Sequence, residues 1–211
     1  MTRRRTGFTA LELTLSILIM SITSLSVAGV TMAISKAHAS TEDYYQSIQT
    51  GRSAMLKIQS LVQSSKLATY CSANTVVLWL DDTNGNNLVN MDEIGVISFA
   101  SGQIKFSRCS FPANIQAALN TAVPLSSLTN ATSIVPQILN STYAPAQLLT
   151  TDVSSCIFSA TPTPPLATLV KVNMTVGVGT QKITLRSAAS TRAGLTSKVG
   201  ISGGQYVLIG G

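Results

Sequence analysis

Gly7-Phe8-Thr9-Ala10-Leu11-Glu12 opens the stretch GFTALELTLSILIMSITSLSVAGVTMAIS, residues 7–35, whose reading decides the fold. From Phe8 to Ile34 it holds no Lys, Arg, His or Pro, and Glu12 is its only ionisable side chain. A helix rises about 1.5 Å per residue, so ~20 apolar residues cross a hydrocarbon core about 30 Å thick. The stretch therefore predicts a membrane-spanning helix with some tilt. Arg3, Arg4 and Arg5 precede it and the next base is Lys36. The positive-inside bias then puts the N-terminus in the cytoplasm and the rest of the chain across the membrane.

Three readings compete for this segment. A secretory signal would use the basic n-region and the small-residue site Ala37-His38-Ala39, but its apolar region runs only about 7–15 residues. A plain single-pass anchor leaves Glu12 unexplained, because an unpaired acid in the bilayer costs a few kcal/mol. The third reading accounts for Glu12. A basic leader, then Gly7, Phe8 and Glu12 in register, resembles the type IV prepilin signature. That resemblance implies cleavage after Gly7 by a prepilin peptidase, which also methylates the new N-terminal Phe8. It implies that Glu12, fifth in the mature chain, pairs with the N-terminal ammonium of a neighbouring subunit inside a helical bundle. Such a pair is coherent physically: a buried carboxylate needs a cation, and removing either partner strands the other. Ala10 stands where the family usually has Leu or Ile, a minor change on an apolar helix.

Composition fits an exported, assembled protein. Only 10% of residues are charged, and Ser, Thr, Ala and Asn are abundant. The formal net charge is +6, of which Arg3, Arg4 and Arg5 supply three, so the implied cleavage leaves +3. No basic patch interleaved with aromatics remains, and no nucleic-acid partner is expected. About 145 residues follow Lys66, enough for one domain with a real core.

Residues 1–7 read as the leader and 8–34 as the transmembrane part of the N-terminal helix. Residues 35–67 read as its amphipathic continuation, with Tyr44, Ile48, Met55, Ile58, Leu61 and Val62 at helical spacing. Gly51 is a blemish of up to about 1 kcal/mol, not a stop. A break near Ala37–Thr41, giving an anchor and a separate helix, is the alternative.

Residues 68–211 read as a β-rich globular domain. Thr75–Leu80, Ile94–Phe99 and Ile104–Phe106 are β-branched and aromatic, with a tight turn at Ala100–Gln103, and predict an antiparallel meander against the rear of the helix. Residues 110–155, rich in Ser, Thr, Ala, Asn and Pro, read as an insertion with one or two short helices, the first choice being Ala113–Thr121, and no legible purpose. Leu169–Val176 alternates cleanly, Gly177–Thr180 turns, and Lys182–Arg186 returns. Ser187–Gly200 reads as a loose connection before a last strand at Gln205–Ile209. The fold class is thus α+β, a long N-terminal helix packed on an antiparallel sheet, similar in layout to minor pilins and larger pseudopilins.

Asp82 to Glu93, DTNGNNLVNMDE, resembles an EF-hand or dockerin-type calcium loop. Oxygen donors fall at loop positions one, three, five, nine and twelve (Asp82, Asn84, Asn86, Asn90, Glu93), with the Leu88 carbonyl at seven and apolar Val89 at eight. A hard cation wants six to eight oxygens, and alternating donors in a tight turn supply them. Asn87 replaces the usual Gly, but Asn tolerates the left-handed conformation. With two charged ligands, calcium binding should be weak and structural, with Kd about 10⁻⁴ to 10⁻³ M. A polar hairpin loop, Asn- and Gly-rich for turn reasons alone, is the competing account.

Of the three cysteines, Cys109 and Cys156 bracket the insertion, and a disulfide between them would tie its base. A Cys71–Cys109 bridge would instead tie the first strands. His38 is the only histidine, and no nucleophile–base set, His/Cys metal spacing or phosphate loop appears, so an enzyme is not expected.

These readings converge on a minor pseudopilin of a type II secretion system. It would be rooted in the inner membrane with its globular domain outside the cytoplasm. The resemblance implies other pilin-like subunits, the prepilin peptidase and an inner-membrane assembly platform as partners. The alternatives are a minor subunit of a type IV pilus serving adhesion, motility or DNA uptake, and a membrane-anchored calcium-binding module that never polymerises.

Overall fold

The computed structural model describes residues 9–128, 134–164, 167–178, 181–192 and 199–208. The chain divides into two compact units, Met1–Tyr45 and Gln46–Gly211. Helix α1, Ala10–Ser64, runs unbroken through the Ala37–Thr41 region.

In the first unit the large apolar side chains from Leu11 to Ile34 all face outward, 54–78% exposed. By length and composition this helix is apolar enough to cross a membrane. Its frequent Ser and Thr residues are compatible with that environment because their hydroxyls are satisfied within the helix. Ser16, Ser21, Thr23, Ser26 and Thr31 each donate to the carbonyl four residues back, at 2.8–3.0 Å.

In the second unit the end of α1 is amphipathic, burying Ser47, Ile48, Gly51, Ala54, Met55, Ile58 and Val62. It packs on an antiparallel sheet of five strands in order: β1 (Leu67–Cys71), β2 (Thr75–Trp79), β3 (Ile94–Ala100), β4 (Gln103–Arg108) and β5 (Gln147–Thr150). A two-residue turn joins β3 to β4, with Ser101 and Gly102 at φ 51° and 74°, the left-handed geometry that matches strand twist. Strands β6 (Val153–Thr161), β7 (Leu169–Val178) and β8 (Gln181–Ser190) make a second antiparallel sheet, and β9 (Val199–Ser202) pairs with β10 (Gln205–Leu208).

Period-two alternation sorts the strands into two cores. Val76, Leu78, Ile97 and Ile104 join Met55, Ile58 and Val62 of α1 and Phe158, Val172, Met174 and Val176 of the second sheet. Val77, Trp79, Ile94 and Val96 face the other way, onto Leu128, Ile134, Val135, Ile138 and Ala144. The insertion therefore has a purpose the sequence did not disclose: helices α3 (Leu125–Leu128) and α4 (Ile134–Leu139) roof the back of the five-stranded sheet. Helix α2, Ala113–Leu119, falls where the sequence placed it.

Several boundaries differ from the sequence expectation. α1 ends at Ser64, not Leu67, because the Lys66 N–H already donates to the Trp79 carbonyl at 2.7 Å, starting the β1–β2 ladder. The insertion gives way to β5 and β6 before residue 155, and β8 continues to Ser190 in register with Leu169. The last strand has a partner, β9, which begins in the last two residues of the segment read as a loose connection and runs past it to Ser202.

Candidate functional site

Two sites follow from the sequence, one in each unit. Gly7 and Phe8, the expected processing residues, lie outside the described residues. Glu12 occupies the third position of α1 and closes a reciprocal cap with Thr9. Its Oε2 accepts from the Thr9 N–H and from the Thr9 hydroxyl, each at 3.0 Å, while the Glu12 N–H donates to Thr9 Oγ1 at 3.3 Å. This is a capping box, satisfying donors that a helix start leaves orphaned. Its signal, Thr-x-x-Glu ahead of an apolar run, stood in the sequence beside the processing motif. The Glu12 carboxylate thus has a partner within its own chain while remaining exposed.

The second site is the loop between β2 and β3. Gly85 and Asn87 take φ of 68° and 60°, so the replacement of Gly by Asn is accommodated in the left-handed region. The side chains fold the loop upon itself. Asp82 Oδ2 accepts from the Asn87 N–H at 3.1 Å, Asn84 Oδ1 from the Asn86 N–H at 2.9 Å, and Asn86 Oδ1 from the Leu88 N–H at 2.8 Å. Asn90 Oδ1 accepts from Asn86 Nδ2 at 3.4 Å. Glu93, fully buried, closes the ring: Oε1 accepts from the Thr83 N–H at 2.8 Å and Oε2 from the Asn90 N–H at 3.1 Å. Hydrogen bonds therefore link the expected ligand residues Asn84, Asn86, Leu88, Asn90 and Glu93 to one another, while Asp82 is tied to the loop through the Asn87 N–H.

Two carboxylate oxygens of this loop are left over, Asp82 Oδ1 and Asp92 Oδ1. Asp82 Oδ1 is buried and has no hydrogen-bond partner, although burying a carboxylate oxygen unpaired is costly. An orphaned hard oxygen at loop position one, in an all-oxygen donor set, fits a calcium-type cation. Asp82, Asn84, Asn86, Asn90, Glu93 and the Leu88 carbonyl are the residues that would hold it, and it would supply positive charge to two buried carboxylates. Among the described residues, no group of three or more His, Cys, Asp or Glu side chains is placed to hold a metal; this loop draws most of its donors from asparagine.

A residue outside the motif completes the site. Lys66 Nζ lies 3.9 Å from Asp82 Oδ2 and 5.1 Å from the centre of the Trp79 ring. No spacing rule links it to the loop; only the pairing of β1 with β2 brings it there.

The expected Cys109–Cys156 bridge is not made. All three cysteines are free thiols, and the sheet separates the pair, Cys109 in the core under the insertion and Cys156 in the core under α1. Burial pushes the Cys71 thiol up to about 11 and the Cys156 thiol up to about 12. His38 sits exposed on α1.

The class defined by these features is an α+β protein whose long, apolar N-terminal helix packs its far end on an antiparallel sheet, an architecture compatible with the pilin-like one. No protein-family model, curated protein or solved structure matches the chain.

Proposed function

We propose that this chain is a pilin-like subunit, a minor pseudopilin of a type II secretion system, that assembles through its N-terminal helix into a membrane-rooted filament for protein export. The observation that carries the reading is the outward-facing apolar surface of residues 11–34, interrupted by the single carboxylate of Glu12. A helix exposed over its whole apolar length needs lipid or other helices around it. On this reading the prepilin peptidase cuts after Gly7 and methylates Phe8, and the inner-membrane platform receives the subunit. Glu12 then exchanges its Thr9 cap for the N-terminal ammonium of a neighbour. Calcium, held weakly in the 82–93 loop, serves as a structural clip between β2 and β3.

The intrachain cap of Glu12 favours a second reading, a membrane-anchored module that does not polymerise, because there the acid is already satisfied. Mass spectrometry of the mature N-terminus, after expression with and without a prepilin peptidase, separates the two. A chain starting at methylated Phe8 supports the subunit. A start at Met1 or Thr2 leaves the anchor, and a start at Ser40 would mean a cleaved secretory signal.

A further inference from the structure

We propose that Lys66 is the resident cation of the 82–93 loop, and that a divalent cation enters only by displacing its ammonium group. The inference rests on reading this loop as a calcium site and adds a residue that competes for it. The side chains of Lys66 and Asp82 are only 9% and 6% exposed, and their charged atoms are 3.9 Å apart. Asp82 Oδ2 is shared between that ammonium and the Asn87 N–H, while Oδ1 has no partner.

Charge counting sets the direction. The buried side chains of Asp82 and Glu93 place two negative charges at the base of the loop, and Lys66 returns one positive charge; Asp92, the loop's third carboxylate, is turned toward Gln116. One negative charge of that buried pair stays uncompensated, which is unfavourable at low dielectric. A divalent cation would neutralise both carboxylates, but only with the ammonium gone, since two cations on one carboxylate repel. The lysine stem is flexible enough to carry its head away, while its backbone stays fixed by the Lys66 N–H to Trp79 carbonyl bond at 2.7 Å.

Departure of the ammonium removes a cation from the Trp79 ring, and Trp79 is the only tryptophan in the chain. Its emission therefore reports the exchange directly.

The test titrates calcium chloride into the full chain in detergent micelles, following heat and Trp79 emission for wild type, Lys66→Met and Lys66→Arg. The expected result is weak binding with an emission change in wild type and similarly weak binding in Lys66→Arg. Lys66→Met should bind about tenfold tighter or more, with heat but little emission change. If circular dichroism shows Lys66→Met unfolded, Lys66→Gln takes its place, removing the charge but keeping a donor toward Asp82. Equal affinities in wild type and the neutral variants would overturn the role of Lys66 and leave the calcium reading standing. No calcium heat in any of the proteins would remove the cation site itself and this inference with it.

Discussion

Gly51 of α1 lies against Val176 of β7 so closely that a Cβ on the glycine would stand 3.0 Å from Val176 Cγ2 and 3.2 Å from Leu185 Cδ1. A glycine inside a helix costs up to about 1 kcal/mol relative to alanine, and here it is what lets the helix backbone settle onto the second sheet. Gly51→Leu should destabilise the second unit by about 1–3 kcal/mol through overpacking, seen as a lower denaturant midpoint with an unchanged slope. Gly51→Ala should do much less, because better helix propensity offsets a milder clash. A Leu variant as stable as wild type would mean that the helix can stand off from β7.

The insertion should behave as core. Ile138 is fully buried beneath the five-stranded sheet, in the cluster that contains Trp79 and Val96. Ile138→Ala is expected to cost about 2–5 kcal/mol, close to the cost of Ile58→Ala on the opposite face. A loss below about 0.5 kcal/mol in chemical denaturation would place residues 134–144 outside the cooperative unit.

That result bears on what the sequence could disclose. The apolar run of α1 and the strands Thr75–Trp79, Ile94–Ala100 and Leu169–Val178 were legible because their residues carry strong local preferences. Leu67-Ala68-Thr69-Tyr70-Cys71 was not read as a strand: Leu and Ala suit helices equally, and only pairing with Thr75–Trp79 decides the matter. The roofing role of residues 125–128 and 134–144 stayed hidden because a Ser-, Thr- and Pro-rich composition resembles a loop until the unpaired back of a sheet demands cover. At the cation loop the spacing was visible, whereas Lys66 became part of it through tertiary pairing alone.

The half-buried Cys71 thiol and the buried Cys156 thiol give a pH dependence with a definite sign. Folding raises Cys71 to about 11 and Cys156 to about 12, from an ordinary value of 9.0. The native state therefore holds these protons more tightly than the unfolded chain. Their contribution is fully present below about pH 9 and is lost as pH rises through 9 to 12. The wild-type melting temperature should fall more steeply over that range than that of Cys71→Ser/Cys156→Ala. At pH 8, about one Cys71 in a thousand is thiolate, so native alkylation should be slow and unfolding should accelerate it. Rapid labelling of Cys71 at pH 8 without unfolding would contradict this.

Glu93 separates the two accounts of the Asp82–Glu93 loop, polar turn or cation clip. Its carboxylate is fully buried and accepts from the N–H groups of Thr83 and Asn90 on opposite oxygens. Glu93→Gln replaces one acceptor with an NH₂ group, which must point its hydrogens at one of those N–H donors. The cost should be about 1–3 kcal/mol without calcium, and on either account the loop loses stability. Calcium splits them. At ten times its Kd, a cation bound only to the folded state adds about 1.4 kcal/mol. Wild type should gain this, whereas Glu93→Gln, lacking the second charged ligand, should gain almost nothing. Equal gains in both would exclude Glu93 from the ligand set. No gain in wild type at millimolar calcium would leave Glu93 as a buried clamp of a polar turn, holding Thr83 to Asn90 through hydrogen bonds alone.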